Sequence, residues 1–163
     1  MFVTHYFSLL PKSLQMSKIF KYQKLMEEKG IIEPCPCQSS VEYENPAFRF
    51  GHSPIEAELN FLPNYTYNEE VKAPPRKNSK KDNNDTFRCG MCGLSFFHTK
   101  EYAKEFWEGL GEPVHEILKY THVLYGNIEK DMGVAYEIEK PHFLFYEYEG
   151  VELRPSFQII DVL

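Results

Sequence analysis

No apolar run in the 163 residues approaches the roughly 18 that a membrane-crossing helix needs, so no spanning segment is predicted. The chain has no Gly-rich phosphate loop, no Gly-x-Ser-x-Gly elbow and no zinc-protease helix spacing. These absences remove the commonest local signatures of nucleotide and hydrolase chemistry. Basic residues are scarce in the last third. From Glu101 to Leu163, 13 Asp or Glu stand against 5 Lys or Arg, a net charge of −8. Such a surface repels phosphate backbones, so nucleic acid is a poor partner and a basic protein a better one. The apolar start, Met1-Phe-Val-Thr-His-Tyr-Phe-Ser-Leu-Leu10, lacks a basic flank and a small-residue cleavage site. It reads as a first strand or a piece of core rather than a signal peptide. A cytoplasmic protein with reduced thiols is therefore expected.

What is abundant is aromatic: 13 Phe and 11 Tyr, in a chain that is 42% hydrophobic. That content excludes disorder and suits a sheet with large residues on its inner face. The length predicts a single domain over 1–163. A helix is expected after Pro11, capped by Ser13 and closed by Lys29 and Gly30. Ser53-Pro-Ile-Glu56 has the order of a cap, an N1 proline and an N3 glutamate, predicting a short helix over about 54–61. The stretch at about 67–86 is polar and reads as a mobile loop. Thr99 caps a helix running to Leu110, and a second short helix begins near Glu112-Pro113. From Thr121 the apolar period changes to two. Strands are expected at 122–125, 134–138, 142–148 and 157–162, with short turns that predict an antiparallel meander. The predicted class is α+β: a C-terminal sheet packed by two or three helices.

The sharpest chemical signal is in the cysteines. Phe87-Arg-Cys-Gly-Met-Cys-Gly-Leu-Ser-Phe-Phe97 holds Cys89 and Cys92, and Glu33-Pro-Cys-Pro-Cys37 holds Cys35 and Cys37. Four thiolates are what a closed tetrahedral zinc site requires. Cys-x-x-Cys-Gly between apolar flanks resembles the knuckle of zinc ribbons and rubredoxin-like sites, which implies a tight turn with Gly90 and Gly93 at positive φ. Cys35-Pro-Cys37 also resembles the first half of a SEC-C motif, although Gln38-Ser-Ser40 follows where that motif has glycine. Bringing the pairs together closes a 51-residue segment, Gln38 to Arg88, at about 4 kcal/mol of chain entropy. A structural zinc is worth roughly 10–16 kcal/mol, so a structural zinc ion on Cys35, Cys37, Cys89 and Cys92 is expected. His98 is a substitute ligand.

A closed four-thiolate site has no open position for water and performs no hydrolysis. The leading expectation is a non-enzymatic, acidic, protein-binding module, of which a toxin-neutralising immunity protein is one concrete form. One alternative is an enzyme whose site is assembled from His98, His115, His122 and Tyr125. The other is a zinc-knuckle nucleic-acid binder that uses the basic loop at 72–81.

Overall fold

The computed structural model describes residues 18–75 and 83–163. In chain order the elements are α1 (Gln23–Glu28), β1 (Val41–Glu42), β2 (Asn45–Gly51), α2 (Asn64–Glu70), α3 (Asp85–Met91), β3 (Leu94–Phe97), α4 (Lys100–Leu110), α5 (Glu112–Leu118), β4 (His122–Ile128), β5 (Gly133–Tyr136), β6 (His142–Glu147) and β7 (Phe157–Val162). Short 3-10 turns precede β5 and β7. All seven strands form one antiparallel sheet in the order β1-β5-β6-β3-β2-β4-β7. The α+β class stands.

The sheet is neither confined to the C-terminal half nor a meander. β1, β2 and β3 from the first hundred residues occupy one edge and the centre. β4 is not a neighbour of β5, nor β6 of β7. Of the four predicted C-terminal strands, only β5 and β6 form a hairpin. The turns between strands were legible, but strand order is decided by long-range burial that a local pattern does not carry.

Alternation along the strands divides the packing. Ala47, Leu94, Phe96, Phe143 and Phe145 point to one face, where Phe61, Leu153 and Phe157 cover them. On the other face Phe50 and Phe97 meet Ala103 and Trp107 of α4. Leu144 and Tyr146 on the same side pack with Met26 of α1 and with Cys89 and Cys92.

α4 matches its expectation closely. Thr99 Oγ1 accepts from the Tyr102 N–H at 3.2 Å, and Gly111, at φ +76°, ends the helix. Thr99→Ala removes one satisfied end of this helix and lowers stability by about 1 kcal/mol in urea denaturation. An unchanged midpoint contradicts the capping role.

Other expected elements differ. Gly30, at φ +62°, closes α1 as expected, but the helix begins only at Gln23 because Phe20 pairs with Tyr148 as a strand-like bridge. Ser13 and the proposed strand at the N-terminus lie outside the described residues. The segment 54–61 turns without forming a helix. Asn60 is buried there, and its Nδ2 donates to the carbonyls of His52, Pro54 and Ile55 while its Oδ1 accepts from the His52 N–H. One amide thereby satisfies the groups a helix would have satisfied internally. The expected polar loop has helical ends. Tyr67, where it was to begin, is 1% exposed within α2, and α3 begins at Asp85. Residues 76–82 lie outside the described residues.

Candidate ligand-binding site

The cysteines do not form the expected site. Cys35 and Cys89 are joined in a disulfide, S–S 2.04 Å, and Cys37 and Cys92 are free. Only two thiols remain, and among the described residues no group of three or more His, Cys, Asp or Glu is placed to hold a metal. The zinc expectation for Cys35, Cys37, Cys89 and Cys92 is therefore corrected. The local reason is that Cys89 sits inside α3, a helix, with Cys92 as its C-cap. Asn84 Oδ1 accepts from the Phe87 N–H at 3.0 Å and starts this helix, so no knuckle turn exists. Neither Gly90 nor Gly93 has positive φ. The cytoplasmic expectation falls with the same finding, because a disulfide belongs to an oxidising compartment. Among the described residues no helix is long and apolar enough to cross a membrane.

The two free thiols differ. Cys37 is half-buried, and the Ser39 hydroxyl beside it, at 3.4 Å, holds its pKa below the usual thiol value. Cys92 is 1% exposed, and burial pushes its pKa up to about 11. Nucleophilic reactivity therefore belongs to Cys37.

The histidines proposed for an assembled catalytic site are apart, each held by a local partner. His98 Nε2 is bonded to Ile138 O at 2.7 Å and Nδ1 to the Tyr43 hydroxyl at 3.2 Å. His115 stacks on Trp107 at 4.0 Å and bonds its carbonyl at 2.7 Å. His122 bonds Thr121, and Tyr125 packs on Phe48. No hydrogen bond or ring contact joins any two of these four.

A different constellation forms at a break in the sheet. β2 pairs with β4 at seven positions and β3 with β6 at four, yet β2 and β3 meet only at Phe48↔Phe97. Beyond that pair Arg49–Gly51 and Leu94–Phe96 diverge, and the sheet parts into two wings. α2 bridges the opening. Asn64 Nδ2 donates to Ser95 Oγ at 3.2 Å, and the Asn64 N–H reaches Gly93 O at 3.4 Å.

The space beside the break is a chamber of about 890 Å³. Phe50, Phe97, Phe106, Leu110 and Leu118 give it apolar walls. Asn64, Asn68 and Ser95 add neutral polar groups, and Glu69 and Lys72 add one charge of each sign. Arg49 also lines it, although strand alternation places its side chain on the opposite face from Phe50.

Arg49 is 3% exposed. Its guanidinium lies over the rings of Phe96 at 5.1 Å and Phe61 at 5.2 Å, and Nε donates to Phe50 O at 3.3 Å. The Tyr120 hydroxyl lies close enough to Arg49 and Tyr67 to interact with both. Burial lowers the arginine pKa from its ordinary value, but a guanidinium keeps its proton in proteins.

Tyr67 and Tyr120 stack at 4.4 Å. The Tyr67 hydroxyl donates to Leu118 O, so the His52 ring nitrogen at 2.9 Å acts as donor toward it. Burial lowers the His52 pKa, and the imidazole is neutral with its proton on Nε2. Burial also raises the pKa of both phenols, that of Tyr120 to about 12, so both stay protonated at neutral pH. The network ties the end of β2, helix α2 and the C-terminus of α5 into one rigid support for Arg49.

Sequence reasoning missed this site. Phe48-Arg-Phe50 has the alternation of a strand, but a lone arginine in a strand normally faces water. Here alternation places it with Ala47 on the face covered by Phe61 and Phe96. No protein-family model matches the chain, and no curated protein or solved structure is significantly similar to it. The functional reading rests on the geometry.

Proposed function

We propose that this is a binding protein for a small, mainly apolar molecule, held in the chamber between the two wings of the sheet and helices α2, α4 and α5. The observation that carries the reading is the chamber: about 890 Å³, with aromatic and aliphatic walls and a minority of polar groups among its lining. That size and composition match small-molecule sites, roughly 300–1,000 Å³ and predominantly apolar. The expectation of a protein-binding module rested on size and acidity, which describe the exterior; the chamber is an interior feature and replaces it as the basis for function.

The test is titration of the intact protein with Nile red, an uncharged dye that fluoresces in apolar surroundings. Saturable 1:1 enhancement is expected, weakened in Leu110→Trp, which fills chamber space from α4. Enhancement that does not saturate, or that is indifferent to Leu110→Trp, overturns the reading.

A further inference from the structure

From the cleft beside the Cys35–Cys89 bridge we infer a thiol–disulfide exchange centre, in which Cys37 is the nucleophile and Cys89 carries the sulfur it attacks. This chemistry does not depend on the chamber.

Two tyrosines bring the sulfurs together. Val134 of β5 stands opposite Tyr146 of β6, and Tyr136 is two residues on, so Tyr136 and Tyr146 are diagonal neighbours on one face. The Tyr146 hydroxyl is 3.5 Å from Cys89 Sγ and donates to Cys89 O at 3.2 Å. The Tyr136 side chain lies close enough to the Cys37 thiol to interact with it. The charge of a Cys37 thiolate is also felt at Tyr146, the residue seated against Cys89. Both cysteines and both tyrosines line one cleft of about 60 Å³, so the free thiol faces the bridge across a narrow space.

The remaining cysteines do not fit the attacking role. Cys92 is 1% exposed, and burial keeps it a thiol, whereas the thiolate is the nucleophile. Cys37 is half-buried, and the Ser39 hydroxyl favours its thiolate. Cys89 is the target because Cys35 does not line the cleft. In the step, the electron pair of the Cys37 thiolate forms a bond to Cys89 Sγ. The Cys35–Cys89 bond breaks, and Cys35 leaves with its electron pair and takes up the proton that Cys37 gave up. One disulfide stands before and after, so no outside oxidant or reductant is required. The product still ties the segment before β1 to α3. The fold is kept while the free thiol moves from Cys37 to Cys35.

The experiment treats the folded protein with N-ethylmaleimide at about pH 8. The sample is then digested with pepsin in acid, where protonated thiols no longer exchange. Mass spectrometry locates the labels and the cross-linked peptides. Cys35 is expected to be labelled in a fraction of the chains, and those chains carry a Cys37–Cys89 link. In Cys37→Ser both signals are lost while the Cys35–Cys89 link remains, which separates loss of exchange from loss of structure. Cys92→Ser changes neither signal. An unlabelled Cys35 in the unaltered protein overturns the inference. So does a Cys35 label that persists in Cys37→Ser, or one without the Cys37–Cys89 link.

Discussion

Breaking the Cys35–Cys89 disulfide, by reduction or by Cys35→Ser with Cys89→Ser, is expected to lower the free energy of unfolding by about 4 kcal/mol. The bridge joins residues 54 apart in sequence. The unfolded chain without it gains the conformational freedom of that loop, and the folded chain gains nothing comparable. Against a typical domain stability of about 5–15 kcal/mol this is a large fraction. The bridge pins the segment before β1 to α3, which carries Met91 to the chamber. Urea unfolding of oxidised and reduced protein measures the difference. Cys37→Ser is the control. Its half-buried thiol crosslinks nothing, so the free energy of unfolding should change by less than about 0.5 kcal/mol. Coincident curves for oxidised and reduced protein contradict the crosslink.

The second large effect is pH-dependent and belongs to Glu147. Its side chain is fully buried at the end of β6, and burial, only partly offset by Lys21 and then Arg49, raises its pKa from 4.5 to about 7. Tyr22 and Glu152 are the other ionisable groups coupled to it. Because the folded pKa is the higher one, the folded state favours the protonated carboxyl. The stabilisation is complete below pH 4.5 and is lost as pH rises through 7. The shift corresponds to about 3 kcal/mol. Oε2, which has no partner among the described residues, marks where the unmet demand sits. Glu147→Gln keeps the shape without the titration. Relative to the unaltered protein it should gain about 3 kcal/mol between pH 4 and pH 8. A difference that stays flat over that range contradicts the raised pKa.

The parts of this molecule legible in the sequence are those whose cause is local. Thr99 as a cap, the helix it starts as far as Leu110 and the period-two pattern of β4 to β7 need only near neighbours to act. The helix at Asp85–Met91 also had a signal, Asn84 followed by Asp85 at its start. The cysteine spacing obscured it, because Cys-x-x-Cys is compatible with a helical turn as well as a metal-binding one. Four thiols in two pairs suggested one shared ion, whereas one cysteine from each pair closes a covalent bridge. The chamber had no local cause. It arises because β2 and β3, more than forty residues apart, touch at one pair and then separate, with Asn64 and Tyr67 holding α2 across the gap.

Entry of a ligand between the two wings of the sheet is tested by amide and methyl NMR of the uniformly labelled protein, titrated with dodecanoate. Shifts are expected at Arg49, Ser95, Phe97, Leu110, Leu118 and Tyr120, which line the chamber, with Val134, Ala135 and Ile128 unmoved. Shifts spread over the exterior, or none at millimolar dodecanoate, contradict it.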